Sequence, residues 1–229
     1  MRKIINLLVI FVGIPMALLV GYLLFEDSQF EIISIIIALL ACTPFFIHFE
    51  KKSPDARELV LVAVLIAISV VSRIIFSVIP SFKPVAAFTI IVAMVFGKEM
   101  GFMVGALTAV LSNMYFGHGP WTPFQMFAWG IIGFFAGLLF NKASSKNMLM
   151  ILIYGALSGI VFSLILDIWT SLSVDGTFIL KRYLAFVTFS FPIMITYVVS
   201  NGLFLLILEK PLVKKLTRIK DKFGLYSLK

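Results

Sequence analysis

Long apolar runs, broken by short polar clusters, organise this chain. Eight runs stand out, at about 4–25, 30–49, 58–79, 84–96, 101–116, 124–140, 148–168 and 182–208. As helices, the first three and the last two are long enough to cross a hydrocarbon layer of roughly 30 Å. The middle three are short, and residues 84–96 would reach only about 20 Å at 1.5 Å per residue. Short helices inside a bundle imply loops that dip into the protein, where irregular backbone is tolerated only against protein or a water-filled cavity. The pattern predicts an all-α integral membrane protein of about eight spans.

Composition agrees with that pattern. Of 229 residues, 61% are hydrophobic and only 13% are charged, about half the charged fraction of a soluble domain. So much apolar surface cannot be hidden in one small core. The net charge of +8 would suggest nucleic acid in a soluble protein. Here the basic residues fall at the ends of the apolar runs, and no nucleic-acid partner is expected. One cysteine excludes an internal disulfide. His48 and His118 are too far apart for a local metal pair, so neither a metal nor a cofactor is expected.

Charge placement also sets an orientation. With the N-terminus in the cytoplasm, fifteen of the 19 Lys and Arg residues fall on the inner side, seven of them between Lys210 and Lys229. Glu26, Asp27, Glu31 and Asp175 fall on the outer side. This bias predicts both ends inside. It puts the stretch "SNMYFGHGPWTPFQMFAWG" (112–130) on the external face. The first run resembles a leader peptide, but it is too long for one, lacks a small-residue cleavage site and is read as retained.

Three parts follow: a transmembrane hairpin at 1–49, a six-helix core at 58–209 after the charged break "HFEKKSPDARE", and a basic cytoplasmic tail at 210–229. In the tail, Leu212, Val213, Leu216 and Ile219 recur near helical spacing between lysines, a pattern suited to a partner or, as the simpler reading, to the anionic inner leaflet. Small residues recur at four-residue spacing, as in Gly97, Gly101 and Gly105, in Gly133 and Gly137, and in Gly155 and Gly159. Close backbone packing accounts for these glycines. Ala63 and Ala67 share that spacing on the cytoplasmic half of the first core run. They fit either internal packing or a face for a separate membrane subunit.

The polar residues inside the apolar runs are the candidate site. Arg73 lies about two turns from the outer end of its run, at a depth where a charge needs a partner, water or a ligand, unless it snorkels outward. Asp167 is the one acid inside a core run, and a pair with Arg73 is one expectation, as an ion pair or a ligand site. Lys83 is placed to reach the same basin. Asn113 ends one run and Gln125 opens the next, with Trp129 four residues on and therefore on the same helix face. Trp121 stands between Pro120 and Pro123, in a loop that the prolines stiffen. Trp121 and Trp169 also suit an interfacial aromatic belt. Ser158, Ser163, Thr188 and Ser190 can satisfy themselves on their helices and carry no reading.

No phosphate-binding loop, zinc-protease motif, paired carboxylates or nucleophile elbow occurs, so an enzyme is not expected. Uphill transport would need energy from another subunit. The stretch 72–139, through Arg73, "P-x-F-K-P" at Pro80–Pro84, Ser112-Asn113 and "G-x-G-P-W-T-P-x-Q-M-F-A-W-G" at 117–130, resembles the substrate-binding S-components of bacterial energy-coupling factor vitamin transporters. It looks most like their cobalamin branch. The resemblance implies a vitamin bound in an outward-facing basin by Arg73, Lys83, Asn113, Trp121, Gln125, Trp129 and Asp167. It implies coupling through the Ala63/Ala67 face to a transmembrane T-component with two ATP-binding subunits, and rotation of the loaded subunit in the bacterial plasma membrane. Thiamine, pyridoxine or a queuosine precursor remain alternative substrates. A stand-alone secondary transporter or channel is the rival class, although a single buried acid is a poor inventory for ion coupling.

Overall fold

The computed structural model describes residues 56–141 and 147–225, with positions 36, 39–40, 42–43, 45–47 and 50. From Ala56 onward six helices follow: α1 (Ala56–Ile75), α2 (Val85–Phe96), α3 (Lys98–Phe116), α4 (Thr122–Phe140), α5 (Met148–Asp175) and α6 (Leu180–Phe223). No strand occurs among the described residues. Most of the predicted hairpin at 1–49 lies outside them, so the count of eight spans does too. Where it is described, the hairpin touches the bundle through Phe45, stacked on Phe102 of α3 at 3.9 Å and edge-on to Phe134 of α4 at 5.0 Å.

Four helical stretches, Ala56–Val78, Thr122–Phe140, Met148–Asp175 and Leu180–Phe223, are long and apolar enough to cross a membrane. Large apolar side chains, among them Val64, Ile68, Leu157, Val161, Phe189 and Ile207, point outward from α1, α5 and α6. A belt of that kind is stable against lipid and a liability in water. The protein is a multi-pass membrane protein.

The short central helix has its explanation in the packing. All twelve residues of α2 are buried, so its sequence is apolar all round and it never meets lipid. A helix of about 18 Å leaves backbone groups open at both ends, within the protein rather than in water. At its C-terminus, Asn141 Nδ2 donates to the carbonyls of Met94 (3.1 Å) and Val95 (3.2 Å), and Lys220 Nζ donates to Val95 O at 2.8 Å. Just before its N-terminus, Ser200 Oγ of α6 donates to Lys83 O at 3.0 Å. One glycine, Gly97 at φ 98°, then reverses the chain into α3, a conformation that favours glycine.

Glycines join α3 to α4. A Cβ at Gly101 would lie 2.6 Å from Gly133 O, one at Gly105 would lie 2.4 Å from Trp129 O, and one at Gly137 would lie 2.4 Å from Lys98 Cα. Backbone therefore meets backbone along this interface, as small-residue packing in membranes requires.

Two boundaries differ from expectation. The seventh run, predicted to end at 168, continues as helix to Asp175. The eighth does not stop at 208, because α6 runs through Pro211 to Phe223 as one 44-residue helix. The predicted leaflet-bound tail is the end of that helix. Leu216 is buried against the core and Lys220 is tied to α2. Spacing showed an apolar stripe there, but not that the stripe faces protein instead of lipid.

Candidate functional site

The C-terminal ends of α1 and α3 and the start of α4 converge on one polar network. Arg73 turns inward and is only 4% exposed, so it does not snorkel. Its Nη1 donates to Ser112 Oγ and, at 2.9 Å, to Asn113 Oδ1. Ser112 Oγ in turn donates to Thr108 O at 2.5 Å. Asn113 Nδ2 donates to Thr122 Oγ1 at 2.9 Å and to Gln125 Oε1 at 2.8 Å. One amide thus joins three helices, and its orientation is set by donors on one side and acceptors on the other.

Aromatic rings complete the surroundings. The Arg73 guanidinium carbon lies 4.4 Å from the centre of the Phe116 ring and 5.0 Å from that of Trp129. Both are within cation–π range. Trp129 is buried and stacked on Phe162 of α5 at 5.1 Å, and Phe162 meets Tyr197 of α6 edge-on at 4.9 Å. Lys83 Nζ approaches the same Phe116 ring, at 5.7 Å. Burial and the nearby Arg73 charge pull the Lys83 amine down from 10.5 to about 8.

The loop before α2 is held tightly. Ser81 has φ 61°, the left-handed region for a residue that carries a Cβ. Such a conformation persists only where its surroundings enforce it. Here they are Phe204, 5.2 Å from the Phe82 ring, and the Ser200–Lys83 bond. The loop before α4 is closed by Thr122 N donating to Gly119 O at 2.9 Å, with the Trp121 ring covering Gly119.

Five of the seven sequence-derived site residues, Arg73, Lys83, Asn113, Gln125 and Trp129, are brought together. Two stand apart. Trp121 is half-buried against a small cluster of Phe124, Trp169 and Leu172 that ties α4 to α5. Trp169 is buried there, 5.6 Å from Phe124, and is no belt residue. Asp167 lies five residues beyond Phe162 on α5 and accepts from Ser190 Oγ at 2.6 Å. No hydrogen bond or ion pair between described residues joins it to Arg73. The partner of Asp167 is on α6 rather than α1, which linear spacing does not reveal.

Ser112, Phe116, Thr122 and Tyr197 belong to this end of the bundle and were not among the expected site residues. Ser112 adjoins Asn113 and Thr122 opens α4, so adjacency was a signal for both. Tyr197 carried none. On α1, Ala63 and Ala67 are exposed, between Val60, Val64 and Ile68. Internal packing among the described residues therefore does not explain them.

A lipid-facing helical bundle thus surrounds a central helix and carries a buried cationic network at one end. The family model for the ECF-type riboflavin transporter S component matches residues 54–218, and the chain belongs to that family. It is thus a substrate-specific subunit of a vitamin transporter, and the family implies an energy-coupling module as partner. No curated protein and no solved structure shows a significant match. The matched family is described by riboflavin, not by the cobalamin expected from the 117–130 run.

Proposed function

We propose that this chain captures a flavin-type vitamin at the Arg73 end of the bundle and delivers it to the cytoplasm by turning against a T-component driven by two ATPases. The observation that carries the reading is the bonding of Arg73 through Asn113 to Thr122 and Gln125, beside the Trp129 face. Donors, acceptors and flat rings held by a rigid frame suit a planar heterocycle edged with carbonyl and N–H groups. The frame lowers the ordering cost of binding. The riboflavin description of the family supports this substrate.

The basic residues at the inner ends of the helices support cytoplasmic termini, and hence a site that opens outward in the bacterial plasma membrane. The exposed Ala63–Ala67 strip supports a smooth contact for the T-component. The division into a transmembrane hairpin at 1–49, a core at 58–209 and a basic cytoplasmic end at 210–229 is part of this proposal.

A second reading, cobalamin, is favoured by the "GPWTPFQM" run alone. The test is to purify the full chain without ATPases and identify what it retains. Flavin at near one-to-one supports the first reading, and a corrinoid supports the second. Uptake into vesicles driven by an ion gradient, with no coupling module, would remove both. For coupling, Ala63→Trp or Ala67→Trp should leave flavin titration intact while abolishing co-purification with a T-component. Survival of assembly in both variants removes the coupling role.

A further inference from the structure

Two cations at the site end share one ring, and neither pairs with an acid among the described residues. Arg73 and Lys83 flank Phe116, at 4.4 and 5.7 Å from its centre. Arg73 donates through Nη1 to two neutral oxygens, and its buried Nε has no partner. The described acids at this end of the bundle are engaged elsewhere, Asp167 with Ser190 and Asp175 with Arg182 at 3.0 Å. Placing two like charges together is costly, and no acid among the described residues bonds to either of them. A fold gains nothing from that arrangement unless something negative arrives. An orphaned guanidinium N–H, almost wholly buried, leaves part of a fork that suits phosphate or carboxylate oxygens.

We infer that the solute bound at this site carries an anionic group, a phosphate monoester or a carboxylate, seated between Arg73 and Lys83 beside Phe116. The inference rests on the reading of this end as the vitamin site. For a flavin it names the 5′-phosphate ester, not the neutral vitamin, as the preferred ligand. The aromatic and amide groups around Asn113 and Trp129 then serve the ring system, and the cation pair serves the charge.

The test uses the full chain in detergent with four probes: riboflavin, riboflavin 5′-phosphate, inorganic phosphate and micelles doped with phosphatidylglycerol. Flavin fluorescence quenching gives affinities, and unfolding midpoints report the other two probes. The expected result is at least about ten-fold tighter binding of the phosphate ester than of riboflavin. That ratio should collapse toward one in Lys83→Gln and recover in Lys83→Arg. Equal affinities in the wild type, or a preference that Lys83→Gln leaves intact, overturn the inference while the flavin reading stands. If folded protein binds neither flavin, the flavin reading falls. Stabilisation by inorganic phosphate that Lys83→Gln loses then still supports the anion site, and its absence overturns it. An effect of phosphatidylglycerol alone assigns the cations to a lipid headgroup and overturns a soluble ligand.

Discussion

The two ends of the bundle use similar residues to opposite purposes. At the end where α2 meets α3, Lys220 and Asn141 reach into the protein and satisfy the carbonyls of Met94 and Val95. Lys98 lies over the Phe134 ring at 5.3 Å. There, cationic and amide donors close the terminus of a buried helix. At the other end, Arg73 and Lys83 sit beside neutral groups and rings, Ser81 holds a left-handed backbone, and a guanidinium N–H is left over. The first end is complete as folded, whereas the second has binding capacity that the fold does not use. A buried charge is therefore informative only once its acceptors are counted.

Removing Arg73 breaks that contrast most severely. Arg73→Leu should weaken vitamin binding by about 100-fold or more, since charged hydrogen bonds in dry sites are worth about 1.5–3 kcal/mol each. The unfolding midpoint in detergent should hold or rise, because an unpaired buried charge is itself destabilising. A large fall in the midpoint with intact affinity would make Arg73 structural.

Gly105→Ala acts on the frame between the two ends. Its Cβ would meet the Trp129 backbone oxygen at 2.4 Å, forcing α3 from α4. Overpacking of this kind costs about 1–3 kcal/mol, and the displacement of Trp129 should weaken binding too. Thermal unfolding and ligand titration on the same sample measure both. Equal behaviour of variant and parent would show that the interface has slack.

Lys220→Met probes the opposite end. Leaving the Val95 carbonyl with fewer donors should lower stability by about 1 kcal/mol and leave vitamin affinity as it was. A loss of affinity without loss of stability would undo the separation of roles.

The smallest effect is one of pH. Lys83 titrates near 8 instead of 10.5, through burial first and the facing Arg73 second. Among the described residues, Arg73 on α1 is the charge that acts on it. Below about 8 the amine is charged and an anion is held best, so affinity for riboflavin 5′-phosphate should fall as pH rises through 8. Stability of the ligand-free protein should move the other way, rising between about 8 and 10.5 as the costly charge is lost. Parallel changes in both would point to another group.

Residue order alone carried much of this protein. Lipid as solvent, helices as elements and the shortness of 84–96 follow from composition and run length, because bilayer thickness and helix rise leave few alternatives. Arg73, Asn113, Gln125 and Trp129 were legible because a polar group in an apolar run is expensive and so stands out. The glycine rows were legible for the same kind of reason, since only small residues let backbones touch. Partnership was not legible. Whether Arg73 meets Asp167 or Asn113, whether Trp121 faces the network or α5, and whether the stripe through Leu216 faces lipid or the core depend on how far each helix slides along its neighbour. Helix ends, side-chain reach and interhelical packing set that offset. One helical turn, about 5.4 Å, is enough to exchange one partner for another, and no local spacing records it.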